Sequence, residues 1–241
     1  MNDVIEVTGV SNREFLERYA RPGRIGLSGG TSAIDKAIAR AQRHLDDEAR
    51  WSPWSHAFFF QGVRHDGHHW VIESDLQLHR RHIRLGVQEN RVAKYFDENL
   101  YTTLAVLDFS LTNDQATALL REGLELVAAR TRYSLRELVG TLVALRHPEW
   151  RERGNPFARE KSFYCSAFVQ HVFRKIGLDL APGLDAKNTT PEDISRTPVP
   201  HTTYLLRRQV ATSTLSALAD RMKCRVRARV RKVKAVARRV R

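Results

Sequence analysis

A cysteine at the start of an amphipathic segment is the residue best suited to covalent chemistry. In the stretch from Phe163 to Gly177, Cys165, Phe168, Val169, Val172 and Ile176 recur at helical spacing and share one face. Arg174 and Lys175 suit the last turn of that helix, and Gly177 is a natural stop. Ser162 reads as the N-cap, which places Cys165 at the third helical position. There, unpaired N–H groups and the positive end of the helix dipole favour a thiolate, the nucleophilic form. A free cysteine on an apolar face also serves simply as a small core residue, so a catalytic role needs a base within reach. His56, at the start of an apolar run, is the best-placed base, although a hydrogen-bonded core histidine has the same sequence context. Glu73 and Asp75 lie near the end of the next strand, and alternation points both to one face. A carboxylate there would orient the imidazole and stabilise its protonated form. The Cys165 backbone N–H is a candidate oxyanion donor, with Tyr164 and Asp75 as further candidates beside the substrate.

The elements that must hold these side chains are legible in outline. Trp54 to Gly62 is a short, aromatic run expected to form a buried strand, and Arg64–His68, with Asp66-Gly67, supplies a hairpin turn into Trp70–Asp75. Further strand is expected near His82–Val87 and Thr102–Phe109. Upstream, Arg24–Leu27 reads as a short strand and Ser28-Gly29-Gly30 as loop. Ser32 with Asp35 forms a capping box for a helix to about Gln42, with Ile34, Ala37, Ile38 and Ala41 on one face. That glycine-rich entry could hold a phosphate on free N–H groups, but no Gly-Lys-Ser/Thr follows it. Two more helices are expected, capped by Thr112 with Gln115 and by Ser134 with Glu137, the second closed by Pro148. A polar loop spans Arg151 to Lys161. Strands and helices without regular alternation argue for an α+β fold.

The order His, acid, then Cys opening a helix reverses the Cys-first order of papain. With the segments PGRIGLSGG, SPWSHAFFFQG, WVIESD, FYCSAFVQHVFRKIGLDL and TTPEDI, the chain resembles the circularly permuted papain-like amidases. These are the YaeF/YiiX group of the NlpC superfamily, distantly similar to lecithin:retinol acyltransferase. The matching segments run from about residue 20 to 208. The resemblance implies a permuted papain-like fold, an antiparallel sheet packed against helices, with Cys165 as nucleophile, His56 as base and Glu73 as orienting acid. It also implies a cysteine amidase or peptidase acting on an acyl-amide, ester or peptide. The chain departs from the family pattern at Arg24, after Pro-Gly, and at Ala167, after Cys-Ser, where acidic residues are common. Tyr164 precedes Cys165 in place of the acyltransferase branch's Asn, which favours hydrolysis over acyl transfer. Two other readings stay open: a non-catalytic module holding a lipid or peptide in the same cleft, and nucleic-acid binding through the tail.

Composition bounds these readings. The chain has 241 residues, 40 Lys plus Arg against 27 Asp plus Glu, and a formal net charge of +13. Residues 221–241 hold 11 of the basic residues and no acidic one, leaving residues 1–220 at a net +2. The expected organisation is therefore a catalytic domain over 1–210 and a basic tail over 211–241. In the tail, Leu215, Leu218, Met222, Val226, Val230, Val233, Ala237 and Val240 keep helical spacing, with Arg and Lys on the other faces. Its expected partner is an anionic membrane surface or nucleic acid, reached through residues 221–241, and a solvated, self-repelling tail is the alternative. No apolar run is long enough to span a bilayer and the charged N-terminus is unlike a signal peptide, so a cytoplasmic location is expected. Two cysteines, Cys165 and Cys224, exclude a disulfide scaffold. His65, His68, His69, His79 and His82 cluster around the hairpin turn, but such a turn is polar anyway, and no metal or cofactor is expected.

Overall fold

Ala57-Phe58-Phe59-Phe60 are all buried, where a strand with one wet face would alternate. Layers on both faces of the sheet explain this. In the computed structural model the described residues are 2–46, 48, 50–79, 82–130 and 164–208, with backbone alone for 76–79 and 82–85. The elements run β1 Asp3–Val7, α1 Asn12–Tyr19, β2 Ile25–Gly30, α2 Ala33–Ala41, β3 His56–Val63, β4 His69–His79 and β5 His82–Arg91. Then come β6 Tyr101–Asp108, α3 Asn113–Ala128, α4 Cys165–Lys175, α5 Pro191–Ser195 and β7 Thr202–Arg207. The seven strands form one sheet in the order β1-β7-β6-β2-β3-β4-β5, antiparallel throughout except for the parallel β1–β7 pair. The class is α+β, as expected. The chain separates into two units, Met1–Arg208 and Gln209–Arg241, and the described residues belong to the first.

One face of the sheet carries Leu27, Ala57, Phe59, Ile72 and Leu107 against Leu119 of α3 and Phe168, Val169 and Val172 of α4. The other carries Phe58, Phe60, Val71 and Val106 against Phe15 and Leu16 of α1 and Tyr95. Burying one such aromatic or aliphatic side chain contributes about 1.5–3 kcal/mol, so the two cores together fix the sheet that carries the site. Gly26 makes one close approach possible: a methyl group there would run into the Phe58 ring, which stacks on Tyr95 with centroids 4.4 Å apart.

Several expectations change in detail. Ser28-Gly29-Gly30 is not loop but the end of β2, paired to Leu104, Thr103 and Tyr101 of β6 with a register shift at Gly29/Gly30. Pairing to β6, and at Ser28 to β3 as well, overrides the turn composition of Ser-Gly-Gly. α2 begins at the expected Ser32–Asp35 capping box, but none of its residues is buried. Asp35 Oδ2 itself accepts from the Ser32 N–H, so the helix entry is closed by its own carboxylate and not by a phosphate. α3 has the expected Thr112–Gln115 box. The helix capped by Ser134, Pro148, the 151–161 loop, Ser162, Cys224 and the tail lie outside the described residues. β1, α1, α5 and β7 are additions to the sequence reading. No helix among the described residues is long and apolar enough to cross a membrane.

Candidate active site

His56 opens β3 and Glu73 lies on β4, the neighbouring antiparallel strand, so the two side chains meet across adjacent strands. His56 Nε2 and Glu73 Oε2 are 2.6 Å apart. With Nε2 committed to the carboxylate, Nδ1 is the ring nitrogen left for the hydrogen bond that His56 shares with Cys165. Burial would by itself lower the His56 pKa. The charge of Cys165 and its hydrogen bond, followed by those of Glu73, outweigh burial and push it up to about 10. The ring is therefore held as imidazolium between two acidic groups at neutral pH.

Cys165 is the first residue of α4, not the third as Ser162 capping implied. The N-cap is Tyr164, in extended conformation and without a side-chain capping bond. The aromatic ring of Tyr164 belongs to the core, and its hydroxyl donates to the Thr189 carbonyl at 2.7 Å. That proton is spent on the loop before α5, and Tyr164 does not line the cavity at Cys165. Ser166 donates to the same carbonyl at 2.7 Å, so Thr189 anchors the first turn of α4 from two directions. At the first helical position the Cys165 N–H has no intrahelical acceptor. Cys165 is a free, buried thiol.

Glu73 is completely buried, and four side chains donate to it. Besides His56, these are Tyr95, Asn90 at 2.6 Å and Lys94 at 2.9 Å. Lys94 also reaches Asp75 Oδ2 at 2.6 Å. Burial pulls the Glu73 pKa upward, but Lys94, His56 and Tyr95 together hold it far below the usual carboxylate range. Lys94 is in turn held well above the ordinary lysine value, burial being outweighed by Glu73 and Asp75. Asp75 lines the cavity beside Cys165, as expected for a residue close to substrate, and also holds Lys94. Asn90, Lys94 and Tyr95 were absent from the sequence reading. Their one signal is position: they end β5 and fill the short 3-10 turn Val92–Tyr95, across the sheet from Glu73.

A cavity of about 290 Å³ opens beside the sulfur, with Cys165, His56, Ser28, Ile34, Ile38 and Leu100 in its lining. The apolar face of α2 therefore meets this cavity instead of the core. A larger cavity of about 540 Å³, near Trp51, Arg196 and Arg207, contains none of Cys165, His56 and Glu73. Among the described residues, no group of three or more His, Cys, Asp or Glu is arranged to hold a metal ion. No protein-family model matches the chain, and comparison with curated proteins gives no match.

Proposed function

We propose that the chain is a cysteine hydrolase of permuted papain-like architecture, cleaving an amide or ester bond of an acyl or peptidyl substrate. The observation that carries this reading is the series Cys165–His56–Glu73, in which a nucleophile-bearing helix start meets an imidazole fixed by a buried carboxylate. Two strands and a helix supply the three groups, each held by packing, which is the preorganisation a covalent mechanism needs.

In the proposed reaction the Cys165 sulfur attacks the acyl carbon, forming an S–C bond while the carbonyl π pair moves onto oxygen. The Cys165 backbone N–H stabilises that oxygen. The tetrahedral species collapses with loss of the amine or alcohol, which takes its proton from the His56 imidazolium. Water, deprotonated by the now neutral imidazole, then attacks the thioester. The products are a carboxylic acid and the regenerated Cys165 side chain beside the His56 ring. Glu73 keeps the ring in register and stabilises its charge throughout. The apolar wall of Ile34, Ile38 and Leu100 suits an acyl group with little polarity beside the reacting carbon.

An acyloxymethyl ketone probe, which alkylates an activated thiol after docking as an acyl group, tests the reading. The parent protein is expected to be labelled at Cys165 and to turn over p-nitrophenyl esters. Cys165→Ala is expected to lose the label and at least about 10³-fold in kcat. Equal labelling of parent and variant sinks the proposal.

A further inference from the structure

We infer that the Ser28 hydroxyl is the second donor to the acyl oxygen, completing an oxyanion site with the Cys165 backbone N–H; this rests on the cysteine-hydrolase reading proposed above. Ser28 is fully buried, and its Oγ finds no hydrogen-bond partner in the protein. A buried hydroxyl without a partner carries an uncompensated desolvation cost, and sites of this kind call for a structural reason. Of the residues with buried side-chain atoms that lack a protein partner, among those described, Ser28 is the one that lines the Cys165 cavity.

Register puts it there. Ser28 of β2 is the direct cross-strand partner of His56 of β3. Directly opposed residues project from the same face of a sheet, with Cβ atoms about 4.5–5.5 Å apart. The hydroxyl thus flanks the imidazole on the side away from Glu73, since β3 lies between β2 and β4.

Four other hydroxyls near the site have given their protons elsewhere. Ser32 and Ser55 donate to Asp35, Tyr95 to Glu73 and Tyr164 to the Thr189 carbonyl. Ser28 keeps its proton for a ligand. Its orientation follows from the field: beside an imidazolium a hydroxyl turns its lone pairs to the cation and its proton away. The proton is then presented to an oxygen that gains negative charge as Cys165 attacks. The backbone carbonyl of Ser28 accepts from the Ser55 N–H at 2.9 Å, which fixes the strand without engaging the side chain.

The test is Ser28→Ala in the full chain, read three ways. Hydrolysis of p-nitrophenyl butyrate is expected to fall about 10²–10³-fold in kcat, the loss typical of one oxyanion donor. Reversible inhibition by butanal, which forms a tetrahedral hemithioacetal on Cys165, is expected to weaken by at least 10-fold. Alkylation of Cys165 by iodoacetamide develops no oxyanion and is expected to keep its rate within about 2-fold. Tm should be equal or higher, because the substitution removes an unsatisfied polar group. Unchanged kcat and butanal affinity overturn the inference. A parallel loss of iodoacetamide reactivity also overturns it, by showing that Ser28 shapes the thiol and not the oxyanion. A parent protein that neither forms the butanal adduct nor hydrolyses the ester overturns the hydrolase reading and this inference with it.

Discussion

Glu73 is a buried anion whose neutralisation is distributed over His56, Lys94, Tyr95 and Asn90. Removing its carboxylate charge by Glu73→Gln is expected to cost about 10²–10⁴-fold in kcat at neutral pH. Loss of imidazolium should appear as an alkaline limb of the kcat/KM profile near pH 10 in the parent, and at lower pH in Glu73→Gln. An alkaline limb unmoved by the substitution would remove Glu73 from its proposed role. The same shift bears on stability. His56 is raised above its unfolded value of 6.5, so its favourable contribution is complete below that pH and disappears as pH rises through about 10. Lys94→Met would leave Glu73 and Asp75 together without their cation. Breaking a buried pair of this kind costs about 3–5 kcal/mol, measurable by urea denaturation. A loss under 1 kcal/mol would mean that His56 alone suffices to hold the carboxylate.

At the scale of elements, the proposed triad is carried by a strand start, the adjacent strand and a helix start. The residue types at 56, 73 and 165 were legible because each sits at a recognisable boundary of a strong apolar pattern. The network around Glu73 was not legible, because cross-sheet neighbours of β4 depend on the pairing of β5 and on a four-residue 3-10 turn with no periodicity of its own. Ser28 was hidden for another reason: Ser-Gly-Gly has the chemistry of a turn, while its burial between β3 and β6 makes it strand. The Cys165 helix was read with the right face but a start two residues early, because Tyr164 caps it through backbone geometry and the first turn is anchored at Thr189. Gly26 links packing to the site, since its lack of a side chain lets Phe58 lie flat and stack on Tyr95, the Glu73 ligand. Gly26→Ala is expected to cost about 1–3 kcal/mol by overpacking and to lower kcat as well. A stable, fully active variant would show that the Phe58 ring is free to move aside without disturbing Tyr95.

For the whole molecule, the charge is divided by position: residues 209–241 hold 11 Lys or Arg and one Asp. A chain ending at Arg208 is expected to keep ester hydrolysis within about 2-fold. We propose that the tail attracts anionic lipid, so the shortened chain is expected to bind vesicles containing phosphatidylserine more weakly than the full chain, each basic residue near such a surface contributing about 1 kcal/mol. Retained vesicle binding, assayed by co-sedimentation at low and moderate salt, would remove the tail as the source of attraction.

The parallel pairing of Asp3–Val7 with Thr202–Arg207 sets an order of events during synthesis. Among the described strands, β1 has no partner until almost 200 further residues have followed it. β7 enters between β1 and β6, so the inner edge of β6 also waits with unpaired amide and carbonyl groups. By contrast, β3, β4 and β5 form a local meander, so the His56–Glu73–Lys94 half of the site assembles early. A nascent chain therefore carries a finished acid–base pair beside an open strand edge, the kind of edge that recruits other chains. Arrest before residue 202 is expected to leave the β6 edge open and yield an aggregation-prone, chaperone-bound intermediate, with β7 as the latch that closes that edge.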